Sequence, residues 1–206
     1  MLGGLYMTNQ LKHFIRGIFF MYNWDYGVLL AFLLVFSVLF IVFQKLMPGK
    51  TVKRSIVFAS FLIYVGLIIY STLIDRESSP ENSGYCVIPF ASFFQFLNGN
   101  TDIMQQSIMN VALFYPFGLL LSGADVKFIG KRKWIIAALA FAFSFCVELL
   151  QFIFHLGYAE IDDVIHNTSG AIIGMLAFTA LEKTFDKIGA KLLNNRNPKI
   201  TRHHRK

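Results

Sequence analysis

The chain has 206 residues, of which 55% are hydrophobic, 16% aromatic and 15% charged, and its mean hydropathy is +0.55. Globular proteins average about 25% charged residues, so this composition excludes a disordered chain, a small disulfide-stapled protein and an ordinary soluble enzyme. The net charge is +7. The basic residues lie between and after long apolar runs, which favours positions near a membrane surface over binding to nucleic acid.

Residues 1–25 mix Lys12, His13 and Arg16 with aromatic side chains, a pattern typical of an interfacial helix. The apolar runs that follow approach the roughly 20 residues that a helix needs to cross a bilayer core of about 30 Å. The sequence therefore predicts an all-α integral membrane bundle over residues 26–181, followed by a basic tail over residues 182–206 that lies disordered against anionic lipid. We expect about five transmembrane helices, namely Tyr26–Phe43, Ser55–Ile74, Ser107–Ser122, Trp134–Leu156 and Val164–Leu181.

Basic residues alternate between successive loops. The first loop, the third loop and the tail are rich in Lys and Arg, whereas the second loop has only Arg76 and the fourth has none. Because Lys and Arg in short loops stay on the cytoplasmic side, the C-terminus is expected in the cytoplasm. With five helices the N-terminus then lies outside. Lys12 and Arg16 argue against this orientation, because basic residues favour the cytoplasmic side. The outer face is acidic, so it would attract cations, although acidic residues also cross membranes freely.

The second loop contains an apolar stretch, residues 86–96, that is too short to span a membrane. It is expected to lie along the interface or to re-enter the outer leaflet. Cys86 lies in this loop and Cys146 in the fourth predicted helix, so we expect two unpaired thiols.

Glu148 is the one ionisable residue well inside a predicted span. Such residues are expensive in lipid and suggest a functional site. Gln151 and His155 follow at i+3 and i+7, so all three are predicted to share one helix face. The alternative interpretation is a hydrogen-bonded trio that fastens two helices together.

The fifth predicted helix carries Asp163, Asn167, Gly170 and Gly174 on one face. The two glycines form a G-x-x-x-G motif, which allows a second helix to approach closely, in the same chain or in a dimer. Asn110 lies at the same level, in the first turn of the third predicted helix. The sequence therefore predicts an outer-leaflet pocket lined by Asn110, Glu148, Gln151, Asp162, Asp163 and Asn167.

Glu148 and Asp163 are the candidates for catalysis, because carboxylates can act as acid and base or hold a divalent cation. Asp162 and Asp163 point apart on a helix and make a poor dyad. No nucleophile lies beside a base, and no known metal or cofactor motif occurs, so neither a metal nor a cofactor is assigned.

Four motifs over residues 70–181 resemble the VanZ-like family of bacterial membrane proteins. They occur in the family's order and at similar spacing: Ile88-Pro89-Phe90, Asn110 with Phe114-x-Pro116-x-Gly118, Glu148-x-x-Gln151, and Ile161-Asp162-Asp163 with Asn167-Thr168-x-Gly170. Relatives usually carry an arginine directly after the glycine that stands here as Gly157. This chain has Tyr158 instead, and would lack any anion contact made by that arginine. Glu160 also replaces a usual aspartate, and Cys86 a frequent asparagine.

The family is named for a protein associated with resistance to teicoplanin-type glycopeptides. The resemblance implies a plasma-membrane protein with an outward-facing polar site and membrane lipids as partners. We expect this site to bind a lipid-linked headgroup, a cell-wall precursor or the drug. An enzyme that modifies a lipid headgroup is the alternative, and the absence of a detectable inverted repeat argues against a transporter. The ligand and the oligomeric state stay open.

Overall fold

The structure, a computed structural model, describes residues 26–47, 49–124 and 133–196. The predicted interfacial helix in residues 1–25 and the end of the basic tail, residues 197–206, lie outside the described residues. The helices are α1 (Tyr26–Leu46), α2 (Lys50–Ile69), α3 (Ala91–Leu97), α4 (Thr101–Gly123), α5 (Trp134–Ile153) and α6 (Ile161–Arg196). A π-helical turn (Tyr70–Ile74) extends α2, and a 3₁₀ turn (Pro80–Asn82) precedes strand β1 (Gly84–Cys86), which pairs with β2 (Tyr158–Glu160).

The predicted all-α membrane bundle is confirmed. Within the described residues, four helices are long and apolar enough to cross a membrane: α1, α2 with its π-helical turn, α5 and α6. Helix α4 has 23 residues, about 34 Å at 1.5 Å per residue. It is less apolar because amide and acidic side chains occupy its first half, and its second half is buried among the other helices from Phe114 to Leu121.

Three glycines bring the backbones of α4 and α6 into direct contact. A Cβ atom added at Gly118 would lie 1.8 Å from the carbonyl oxygen of Ala171. Cβ atoms at Gly170 and Gly174 would lie 2.1 and 2.0 Å from carbonyl oxygens of α4. The predicted G-x-x-x-G motif therefore serves a contact within this chain, which is the most extensive contact between any two described helices.

Buried polar contacts tie the outer helices to α4. The Ser37 hydroxyl of α1 lies 2.6 Å from the Tyr115 hydroxyl, and both residues are buried. Tyr64 of α2 donates a hydrogen bond of 2.7 Å to the Leu113 carbonyl oxygen, close to Pro116, whose missing N–H weakens the ladder of backbone hydrogen bonds. Helix α4 runs unbroken through this proline, so the partner helices supply hydrogen bonds at the turn that it loosens.

The structure corrects the predicted end of the fourth span. Helix α5 ends at Ile153, and His155 adopts a left-handed conformation with φ of 55°. The Leu156 and His155 N–H groups donate to the carbonyl oxygens of Gln151 and Phe152 at 2.9 and 3.3 Å, the pattern of a Schellman motif. The prediction that His155 shares a helix face with Glu148 is therefore wrong, because the helix has already ended.

Two further features differ from expectation. The parallel strand pair β1–β2 was not predicted, and it joins the second loop to the loop before α6 with Cys86 opposite Glu160. Residues 182–196 continue α6 as a helix rather than forming a disordered tail, and Lys45 of α1 contacts Asp186 there at 2.5 Å. The expectation that both cysteines are unpaired is confirmed.

The glycine contact makes a testable prediction. Gly118→Ala should lower the free energy of unfolding by about 1–3 kcal/mol, because the added methyl group forces α4 and α6 apart. Gly66→Ala is the matched control, since a Cβ there meets nothing within 4 Å and the helix gains up to about 1 kcal/mol in propensity. Unfolding of the purified protein in detergent measures both, and equal stability of the two variants would contradict the close contact.

Candidate functional site

Glu148 lies at the end of the bundle where α5 ends and α6 begins. Its side chain is 8% exposed, and its Oε2 atom accepts a hydrogen bond of 2.9 Å from the Glu160 N–H group of β2. The side chains of Asp163 and Arg76 are close enough to act electrostatically on its carboxylate. The unpredicted strand pair thus holds the backbone over the acidic residue of α5.

Asp163 faces amide side chains of α4. Gln106 and Asn110, in the second and third turns of α4, both approach its carboxylate, as expected when the glycine contact holds this part of α4 against the start of α6. Within the described part of the chain, the Asn110 Nδ2 atom is buried with no partner in standard hydrogen-bond geometry. A donor is therefore left over beside an acidic group, and a small shift or a ligand oxygen would satisfy it.

Arg76 supplies the positive charge of this cluster. Its Nη1 atom donates to the Leu156 carbonyl oxygen at 3.3 Å, and a Cβ on Gly157 would lie 3.2 Å from the same atom. The loop before α6 has Tyr158 where relatives usually have an arginine. Arg76, from the second loop, supplies a guanidinium to this loop instead.

The charge of the cluster is unbalanced. Among the described residues at this end, Arg76 interacts with the carboxylates of Glu148 and Asp163, and the Asp163 carboxylate also interacts with that of Glu160. Burial, with the nearby charge of Asp162, raises the pKa of Glu160 above its usual value. Glu160 therefore keeps its proton to higher pH, which reduces the repulsion among the three carboxylates. We refer to Arg76, Glu148, Glu160 and Asp163, with Asn110, as the carboxylate cluster.

Asp162 has different surroundings from Asp163. Its carboxylate accepts hydrogen bonds from the N–H groups of Phe90 and Ser92 at 2.6 and 2.8 Å, and from the Ser92 hydroxyl. These groups begin α3, and Phe90, with φ of 63°, offers no side-chain cap of its own. Asp162 is 3% exposed and anchors the N-terminus of α3 to α6.

Gln151 and Asn167 connect helices. Gln151 Nε2 donates to the Thr72 carbonyl oxygen at 3.1 Å, which fastens α5 to the π-helical turn after α2. Asn167 Nδ2 donates to the Ser144 hydroxyl at 2.9 Å. Its Oδ1 atom is buried, with no hydrogen-bond partner among the residues that the structure describes. Gln151 thus has a clear packing contact, whereas Asn167 keeps an unused acceptor one turn below the carboxylate cluster.

A cavity of about 340 Å³ opens between α1 and α2, lined mainly by apolar side chains such as Phe40, Tyr64 and Leu120. The six residues predicted to bind a ligand are absent from its lining. In the described ranges, no group of three or more His, Cys, Asp or Glu is arranged to hold a metal ion. The residues of the carboxylate cluster are buried or half-buried in the bundle.

Sequence analysis missed three members of this neighbourhood: Arg76, Gln106 and Glu160. Arg76 had one usable signal, because it is the sole basic residue in the second and fourth loops. The contacts of Gln106 and Glu160 depend on the choice of α4 as the helix that packs on the G-x-x-x-G motif and on the β1–β2 pair. No local pattern revealed either of them. Chemically, the cluster suits a ligand that carries a cationic amine next to an anionic group, and its carboxylates can also exchange protons.

The anchor of α3 can be tested by Asp162→Asn. The variant loses the charge that accepts the hydrogen bonds at the start of α3, so its free energy of unfolding should fall by about 1.5–3 kcal/mol. Asp102→Asn is the control, because Asp102 is an exposed acidic residue in the first turn of α4. Unfolding in detergent measures both, and a variant at position 162 as stable as the control would refute the anchor.

Comparisons with known proteins identify the family of the chain. Residues 61–182 match the family model VanZ/LLP1, a range that includes Arg76, Asn110, Glu148, Glu160 and Asp163. The chain is 40% identical over 75 residues to Protein VanZ of Enterococcus faecium, over 36% of this chain and 45% of that protein. The match thus spans less than half the length of that relative. No solved structure matches the chain. Because the family model covers more than half of its residues, the chain belongs to the VanZ/LLP1 family and is a membrane protein.

Proposed function

We propose that this protein raises the tolerance of a bacterial cell to teicoplanin-type glycopeptides. In this proposal the carboxylate cluster faces outward and binds a lipid-linked headgroup of a cell-wall precursor or the drug itself. The main observation in its support is that Glu148 of α5, Asp163 of α6 and Arg76 of the second loop lie within electrostatic range of one another at one end of the bundle. The family match over residues 61–182 supports it, since it covers all three.

The unbalanced charge supports a ligand with an amine. When their protons are lost, three carboxyl groups against one guanidinium attract a cationic group, and Arg76 suits an adjacent phosphate or carboxylate. Asn167 Oδ1, buried and without a partner within the described residues, offers one more acceptor, and Asn110 Nδ2 beside the Asp163 carboxylate offers a donor. A ligand that pairs these groups would recover the free energy that each unsatisfied polar atom costs.

The orientation belongs to the same proposal. Lys45, Lys50 and Lys133 lie at the end of the bundle opposite to the carboxylate cluster, as does the lysine-rich end of α6. Because basic residues near membrane helices stay on the cytoplasmic side, we propose a multi-pass protein of the plasma membrane with its C-terminus inside. The carboxylate cluster then lies at the outer surface, where cell-wall precursors and glycopeptides meet.

One observation favours an enzyme as the second candidate. Glu148 and Asp163 lie within electrostatic range of each other, and two neighbouring carboxylates can divide the roles of acid and base. In this case a lipid headgroup is the substrate, and cells that express the protein accumulate a lipid of altered mass. Binding alone leaves the lipid masses unchanged, so mass spectrometry of membrane lipids separates the two candidates.

The proposal predicts how variants change drug susceptibility. In a glycopeptide-sensitive host, the wild-type chain should raise the inhibitory concentration of teicoplanin, and Glu148→Gln or Asp163→Asn should remove the gain. Each change removes a charge-assisted contact of about 1.5–3 kcal/mol, which weakens binding about 10- to 100-fold. Glu77→Gln is the matched control, because Glu77 is an exposed carboxylate next to Arg76 in the chain.

Membrane abundance of every variant is measured on the same cells. A wild-type chain without effect, or variants that protect as well as the wild type, would contradict the proposal. Loss of protection only in proportion to lost protein would assign Glu148 and Asp163 to helix packing instead.

A further inference from the structure

We propose that the segment 85–97, which contains α3, is inserted in the lipid of the leaflet next to the carboxylate cluster. In this proposal the segment contacts the acyl chains and the interfacial region of the bilayer. The inference concerns the placement of the segment and does not depend on the ligand of the cluster.

The segment presents an uncharged and strongly apolar surface. Residues 84–97 contain no Asp, Glu, Lys or Arg. Six large apolar side chains of this stretch are 56–69% exposed: Val87, Ile88, Phe90, Phe93, Phe94 and Leu97. So large a patch is rare on a surface that faces water and marks a contact with lipid or protein.

The patch is continuous with the surface of a membrane span. The Tyr85 ring contacts Phe152 of α5 edge-to-face, with ring centroids 5.5 Å apart. Ile153 and Phe154 at the same end of α5 are more than half exposed. Because α5 is apolar and long enough to cross the membrane, the lipid that surrounds its end also reaches the segment. Tyr85 and Tyr158, both exposed, are residue types that collect at membrane interfaces.

Backbone polar groups at both ends of α3 are paired within the protein, as lipid requires. Seven residues rise only about 10 Å, so α3 cannot span the membrane. The Asp162 carboxylate accepts the N–H groups that begin the helix. At its other end, the Asn98, Gly99 and Asn100 N–H groups donate to carbonyl oxygens of the last turn. Non-spanning backbone survives at membrane depth only when its polar groups are paired within the protein.

This placement has a consequence for the carboxylate cluster. Asp162 holds α3 and is followed directly by Asp163, so the depth of α3 in the leaflet fixes the depth of the cluster. Lipid headgroups therefore lie at the level of Glu148 and Asp163, and a ligand anchored in the membrane reaches them without leaving it.

Tryptophan fluorescence tests the placement in the whole protein. Trp24→Phe and Trp134→Phe remove both native tryptophans, and Phe94→Trp or Phe93→Trp adds a single reporter to the segment. The proteins are reconstituted in vesicles of phosphatidylcholine with brominated acyl chains, and iodide is the quencher in water. Leu34→Trp on α1 is the lipid-facing control and Glu81→Trp the water-facing control, since both positions are exposed.

We expect tryptophan at position 94, and at position 93, to be quenched by bromolipid as strongly as at position 34 and to resist iodide. Quenching by iodide as at position 81, with no effect of bromolipid, would overturn the proposal. Protection from both quenchers would overturn it as well, because a second protein surface would then cover the segment.

Discussion

The rest of the structure depends on the direct backbone contact between α4 and α6. Gly118, Gly170 and Gly174 remove the side chains that would keep the two helices apart, and carbonyl oxygens take their place. Asn110 precedes the Val111 backbone that Gly170 touches, and Asp163 lies two turns before Gly170 on the same helix face. The contact therefore brings an amide donor to a carboxylate at one end of the bundle. Packing of small residues thus brings Asn110 and Asp163, two members of the carboxylate cluster, together.

The second constraint is that the adjacent carboxylates of Asp162 and Asp163 have different partners. Asp162 uses its oxygens on the first turn of α3, whereas Asp163 faces α4 and the charges of Glu148 and Arg76. One residue sets where the apolar segment lies, and the next contributes charge to the cluster. A neutral residue at either position would be expected to disturb a different property: stability at position 162 and, in the proposed function, ligand affinity at position 163.

The helices and the G-x-x-x-G contact followed from local patterns, because apolar length and glycine spacing are properties of short windows. The end of α5 could not be predicted, because His155 occupies the left-handed position that glycine usually fills at a helix end. The strands β1 and β2 have three residues each, too few for a strand pattern. Arg76 and its partner, the Leu156 carbonyl oxygen, are 80 residues apart in the sequence. A contact between such distant residues depends on the tertiary fold and not on a local pattern.

Thiol labelling tests most directly whether the carboxylate cluster faces the outside of the cell, as proposed above. In a chain with Cys86→Ser and Cys146→Ser, Glu77→Cys marks the loop beside Arg76 and Lys187→Cys marks the far end of α6, both at exposed positions. A membrane-impermeant maleimide should label position 77 in intact cells, and position 187 only after the membrane is permeabilised. The reverse pattern would place the cluster in the cytoplasm and contradict the account.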